Sequence, residues 1–270
     1  MERIHVVHEE GRWVLAHPSS AETEGWRRER VGLIEYVVHP MLRFDAGRAM
    51  DTAQWVEDTA QRFGISDVRP ITYYLVPDLP AAFRVMGLDW GLTSDRVGGK
   101  ANARARVVFA ADPRYGEAYR HELVHVLLHP ITGGASAFVV EGIAYWLGGA
   151  RGKALPGVLH DLAGYLDQRP TIGLRAILTD DGSSAAASAR FPAAAAVFEL
   201  VHRRGGDTAI RNFLTALGKD EPTLDSLARA LGMVPAELES EWWAVVRSYV
   251  NLAPRGMEPA RAMRSRADRG

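Results

Sequence analysis

Between Asp45 and Phe63 the apolar residues Ala49, Ala53, Val56 and Ala60 recur at three- and four-residue intervals, one face of a helix, and Gly64 follows as a stop. The segments around it alternate or cluster apolar residues as strands do. RIHVVH and RWVLAH flank Glu9-Glu10-Gly11 as a hairpin. VGLIEYVV, ITYYLV after Pro70, and ARARVVFA read as three further strands. Ser19–Arg30 is charged and reads as a short helix, Pro80–Met86 as another ended by Gly87, and residues 91–103, with Gly98-Gly99, as a loop.

Past Asp112-Pro113 the period becomes helical. Helices are expected near 115–129 (closed by Pro130), 136–148, 157–167, 191–204, 207–217, 223–231 and 235–250, punctuated by Gly205-Gly206, Gly218 and Gly232. The small polar residues of 180–190 read as a mobile loop. Residues 254–270 hold five Arg and two Pro with few large apolar residues, so they read as a disordered basic tail. The expected organisation is an N-terminal α/β lobe over 1–112, a helical lobe over 113–253, and the tail. There is no internal repeat.

Composition narrows the function classes. The chain has 270 residues, 47% hydrophobic and 24% charged, which fits a packed core. Lys+Arg number 32 against 33 Asp+Glu, a net charge of −1, which provides no chain-wide attraction to nucleic acid or to an acidic membrane. Only Lys100, Lys153 and Lys219 are lysines, so the arginine excess reads as compositional bias. The lack of cysteine removes disulfides, thiol catalysis and cysteine-ligated metals. Neither a secretory leader nor an apolar span of membrane length is visible, and a cytoplasmic location is the expectation.

The chemistry concentrates in His121-Glu122-Leu123-Val124-His125. Four helical residues advance about 400°, so His121 and His125 stack on one face and can grip one Zn²⁺. Glu122, rotated about 100° from His121, is placed to reach a water at the ion as a general base. A third ligand is needed to leave one open position. Glu141 stands alone in the apolar run FVVEGIAYWL, where a carboxylate is costly without a compensating cation. His125 lies four residues before the expected 129–135 loop and Glu141 six after it, so an antiparallel helix pair brings them level.

HELVH followed by EGIAYW resembles the gluzincin zinc metallopeptidases, the peptidase MA-like group related to thermolysin and the aminopeptidases. The similarity extends over about residues 65–250, including FPAAAAVFELVHRRGGDTAIRNFLTAL and LARALGMVPAELESEWWAVV downstream. It implies a zincin-like α+β fold, with one zinc held by His121, His125 and Glu141. Glu122 would take the proton of a water in the fourth position and return it to the leaving amine of a cleaved peptide bond. It also implies that an edge strand before the metal helix, Arg106–Ala110, aligns the substrate backbone through Val107, Val108 and Phe109.

The oxyanion donor is open. Aminopeptidase-like relatives carry a Tyr where this chain has Arg190-Phe191. Arg190 and Tyr145 rank first, ahead of Tyr165, His160 and His202. His129 reads as a favourable charge near the helix end, with a surplus ligand or a partner behind one as the alternative, and Glu117 either orients a ligand histidine or sits as an ordinary exposed first-turn carboxylate. The histidines at 5, 8, 17 and 39 lack metal spacing. The expected partner is a peptide or protein substrate. Three rivals remain open: a non-haem iron oxygenase using the same ligands, a catalytically weak metal-binding descendant, and a processing enzyme dedicated to one partner.

Overall fold

The computed structural model describes residues 6–15, 18–66, 69–88, 98–180 and 185–250. The expected tail at 254–270 lies outside them, as do 91–97 of the expected loop and 181–184 of the 180–190 segment. The elements run β1 (Val6–Glu9), β2 (Arg12–Leu15), α1 (Ser19–Glu22), β3 (Arg27–Val31), β4 (Ile34–Val38), α2 (Ala46–Arg62), β5 (Ile71–Leu75), α3 (Leu79–Met86), β6 (Gly99–Asn102) and β7 (Val107–Ala110). Helices then take over: α4 (Arg120–Thr132), α5 (Ala137–Gly148), α6 (Leu155–Asp167), α7 (Leu174–Thr179), α8 (Arg190–Ala216), α9 (Leu224–Ala230) and α10 (Pro235–Arg247). The class is α+β, as expected, with a mixed sheet on a mainly helical C-terminal half.

Strands β1 and β2 form their own antiparallel ribbon across Glu10-Gly11. The main sheet has the order β3-β4-β5-β7-β6. Its centre is parallel, Val37 opposite Tyr74 and Tyr74 opposite Phe109, and its two outer strands are antiparallel to their neighbours. Alternate residues of the central strands serve two cores. Ile34, Tyr36, Ile71, Tyr73, Leu75 and Val108 face α2, α4 and the helical half. Val37, Tyr74 and Phe109 face α3 through Ala82 and Val85. The larger core runs unbroken from the sheet through α4 and α5 to Trp242 on α10.

Helix α2 carries the expected face, with Ala49, Ala53, Val56 and Ala60 buried, and Asp45 caps its start by accepting from the Arg48 N–H at 3.1 Å. Gly87 ends α3 in the left-handed conformation. The two helices expected on either side of Gly205-Gly206 are the two parts of α8, broken there by non-helical backbone.

Four expectations need correcting. Ser19–Arg30 is helical only at its start and then enters strand β3, whose pairing with β4 overrides its charged composition. Pro130 lies inside α4, which continues to Thr132. Residues 99–102 are strand, not loop, because they pair with β7 from Gly99 opposite Ala110 to Asn102 opposite Val107. For the same reason Val107, Val108 and Phe109 are not at an edge: β7 is hydrogen-bonded between β5 and β6, and the edge belongs to β6.

Candidate metal centre

The N-terminus of α4 is seated before the helix begins. The Tyr73 hydroxyl donates to the Gly116 carbonyl at 2.7 Å and accepts the Tyr119 N–H at 2.9 Å. The Tyr36 hydroxyl donates to the Glu117 carbonyl at 3.1 Å. The buried Glu117 carboxylate accepts the Asp45 N–H at 2.8 Å, which ties this turn to the start of α2. Glu117 is therefore a buried structural anchor, not an exposed carboxylate, and among the described residues its carboxylate is bonded to Asp45 rather than to a histidine. These bonds satisfy backbone groups that the sheet and helix ladders leave over.

Helices α4 and α5 form an antiparallel pair around Gly133-Gly134, the latter at φ 93°. Two glycines permit the close approach of α5. A Cβ at Gly142 would stand 2.6 Å from the Ala194 Cβ on α8. One at Gly148 would stand 2.5 Å from the His121 backbone nitrogen. The level meeting of His125 and Glu141 follows. His121 Nε2 and His125 Nε2 are 3.2 Å apart, His121 Nε2 and Glu141 Oε2 3.4 Å, and His125 Nε2 and Glu141 Oε1 3.6 Å.

These distances test the fit of an ion. Zinc with ligand bonds of about 2.0–2.2 Å in tetrahedral geometry separates its ligand atoms by about 3.3 Å. The two imidazole nitrogens stand at about that separation and each has one oxygen of the Glu141 carboxylate near it, and two nitrogens with a carboxylate are a zinc donor set. His121 Nδ1 lies 2.9 Å from the Gly149 carbonyl, which can only accept, so Nδ1 carries the proton and the Nε2 lone pair faces the triad. His121, His125 and Glu141 can hold one divalent ion.

Burial and mutual charge shift the groups of the site. Burial, reinforced by the charge of His121, pushes His125 down to about 4, so it is neutral and ready to ligate at pH 7. For His121 burial acts downward, but the Glu141 carboxylate facing Nε2 and the charges of Glu122 and Glu141 outweigh it and raise the pKa, so a proton and a metal ion compete for Nε2. Burial acts upward on Glu141, and the two histidines outweigh it to lower its pKa. Glu122 is 6% exposed, and burial pushes it up to about 7 against the pull of His121, Lys100 and a hydrogen bond from Tyr119. A carboxyl group poised near neutrality is suited to taking and returning a proton.

Two cavities meet at His121. One, about 490 Å³, is lined by β6 (Gly99, Lys100, Ala101) and by Glu122, His125 and Glu141. The other, about 840 Å³, lies beyond the N-terminus of α4 between Asp112, Tyr115, Tyr145 and Arg151. The Tyr145 ring meets His121 edge-on at 5.3 Å between centroids. Burial raises the pKa of the Tyr145 hydroxyl, leaving it a protonated donor at neutral pH.

Arg190, expected to reach the site, is engaged elsewhere. It pairs with Glu221 at 2.7 Å and donates to the Ile177 and Asp180 carbonyls, because the start of α8 packs over the end of α7. His160 approaches the Tyr249 carbonyl and His202 approaches Asp207, both outside the cavities described. Tyr165 lines a third cavity behind Tyr145, and His129 lines the 490 Å³ cavity beyond His125. Sequence reasoning missed β6, Tyr119 and Arg151. The sequence signal for β6 was the paired glycines at 98–99; Gly99 leaves no room for a Cβ against the Phe109 carbonyl and the Tyr119 ring.

No family model matches the sequence, and no curated protein matches it. Among solved structures the fold is similar to that of a mutant M1 zinc metallopeptidase from Deinococcus radiodurans, at 15% identity and a TM-score of 0.42. The match covers 86% of this chain and 53% of that one, so the chain spans about half the length of that protein. No helix among the described residues is long and apolar enough to cross a membrane.

Proposed function

We propose that the chain is a zinc-dependent peptidase that hydrolyses peptide bonds in the cleft where the two cavities meet. The observation that carries this reading is the convergence of His121 Nε2, His125 Nε2 and the Glu141 carboxylate, one ligand atom from each within 4.8 Å of the others, with the buried Glu122 adjoining them in the same cavity.

A zinc ion bound there would supply Lewis-acid polarisation of a carbonyl and a more acidic water. The chain's residues do the rest. The Glu122 carboxylate accepts the proton of the attacking water and passes it to the nitrogen of the scissile bond, so its proton occupancy is the same before and after turnover. The substrate backbone lies along β6, whose outer edge pairs with no described strand, by strand addition. That alignment, expected from Val107–Phe109, passes to Gly99–Asn102. Tyr145 is the donor to the developing oxyanion, its hydroxyl kept protonated by burial.

The test is metal content and peptide hydrolysis of the purified chain beside Glu122→Gln. The expected result is one zinc per chain in both proteins and a 10²–10⁴-fold loss of turnover in the variant, on the order of a general base's contribution. Unchanged turnover in a zinc-loaded variant overturns the mechanism. Iron in place of zinc, without hydrolysis, favours the oxygenase.

A further inference from the structure

The 840 Å³ cavity beside His121 has a charge that its fold does not use. Asp112 and Arg114 saturate one another through contacts of 2.5–3.0 Å. Asp78 caps α3 by accepting the Ala81 N–H at 2.8 Å. His121 faces Glu141. In the adjoining 370 Å³ cavity behind Tyr145, Lys153 and Asp161 form a 2.5 Å pair. Arg151 lines both cavities, and among the described residues it has no hydrogen-bond or ion-pair partner.

Its position is built rather than incidental. Ala150 and Lys153 bond to each other in both directions, N–H to carbonyl, at 2.9 Å, closing a tight turn with Arg151 and Gly152 at its centre. Arg151 sits there at φ 52°, in the left-handed region that a long side chain rarely occupies. The turn is joined to the metal centre, because the Gly149 carbonyl just before it accepts from His121 Nδ1. The charge of Arg151 also acts on the Tyr145 hydroxyl, and the Tyr145 ring is in contact with that of His121.

We propose that Arg151 is a specificity-determining residue that anchors a carboxylate of the substrate in the cleft. A planar guanidinium with its donors unclaimed matches a carboxylate in a two-point contact. The substrate class is then peptides carrying an acidic group close to the scissile bond. Two sources offer that chemistry, the C-terminal carboxylate of a short peptide and an Asp or Glu side chain. This inference rests on the peptidase reading.

The experiment uses the zinc-loaded full chain, wild type beside Arg151→Ala and Arg151→Lys. The substrates are matched sets of short peptides: free acid against C-terminal amide, and Glu against Gln at positions flanking the cleaved bond. Wild type is expected to lose about 10- to 100-fold in kcat/KM when the relevant carboxylate is neutralised, the worth of a hydrogen-bonded charge. Arg151→Ala should show the same loss on the acidic peptide and almost none on its neutral partner, with Arg151→Lys in between. The source is whichever substitution, amide or Gln, produces the effect. Equal cleavage of acidic and neutral peptides by wild type overturns the proposal, as does an equal fall on both in Arg151→Ala. Failure to cleave any peptide overturns the peptidase reading instead. Anisotropy binding of the same labelled peptides then decides Arg151 alone: equal affinity for acidic and neutral forms overturns it.

Discussion

His121 Nδ1 stands 2.9 Å from the carbonyl oxygen of Gly149, so the end of the helix that carries Glu141 also fixes the tautomer of the first histidine. Helix α5 and its C-cap thus bear on two of the three candidate ligands. The close packing behind this bond is at Gly148, whose missing side chain lets α5 lie against the His121 backbone.

Gly148→Ala puts a methyl group 2.5 Å from the His121 nitrogen and 2.6 Å from its Cα, where only backbone can give way. The expected cost is about 1–3 kcal/mol of stability, as for other overpacked sites. Zinc affinity should fall about 10- to 100-fold, the usual consequence of disturbing a ligand's supporting bond. Urea unfolding and a competition titration against a chelating dye measure the two effects. Normal zinc affinity would show that α5 adjusts without moving His121.

The metal motif was legible in sequence because helical spacing is rigid: residues 121 and 125 share a face in any α-helix. Glu141 was legible because a carboxylate in an apolar run needs a cation, and the glycines at 133–134 mark a reversal that sets the helices level. Strand β6 was hidden, since Gly99, Lys100 and Asn102 have little strand preference and owe their conformation to pairing with β7. That one omission made β7 look like the edge. Arg190 misled because spacing along α8 says nothing of Glu221, 31 residues on, which captures its guanidinium. Arg151 gave no signal, because a left-handed arginine lining the same cavity as His121 exists only once α5 has packed.

Tyr73→Phe should loosen the start of α4 from the sheet it packs on. The hydroxyl bridges the Gly116 carbonyl and the Tyr119 N–H, and its removal leaves both backbone groups without that partner. The expected destabilisation is about 1–3 kcal/mol, the price of unsatisfied buried polar groups. Hydrogen exchange should show faster opening at the start of α4, while the start of α10 keeps its wild-type rate.

Zinc should stabilise the folded chain by mass action. At free zinc 100-fold above its Kd the expected gain is about 2.7 kcal/mol, seen as a higher unfolding temperature that a chelator reverses. Glu141→Ala removes one of the three ligand atoms and should shrink the zinc-dependent shift while leaving the metal-free unfolding temperature close to wild type. A shift of full size in Glu141→Ala would place the ion elsewhere.

Acid stability should depend on Glu199, remote from the metal. Its carboxylate accepts from Trp146 Nε1 at 3.0 Å, Arg203 Nε at 2.8 Å and the Tyr249 hydroxyl at 3.1 Å, so it joins α5, α8 and the chain after α10. Burial raises its pKa, but Arg203 and the two other donors outweigh burial and hold it below the ordinary glutamate value. A depressed pKa gives a contribution that is complete above the unfolded value, about 4.3, and is lost as pH falls through the folded one. Glu199→Gln keeps an acceptor for one donor and discards the charge, so it should cost about 1–3 kcal/mol at pH 7. Below the folded pKa the native carboxyl is neutral as well, so the gap between the two proteins should narrow as pH falls from 4.3. Urea unfolding from pH 7 to pH 3 decides it: a gap that stays constant would assign the loss to packing rather than to the ionised carboxylate.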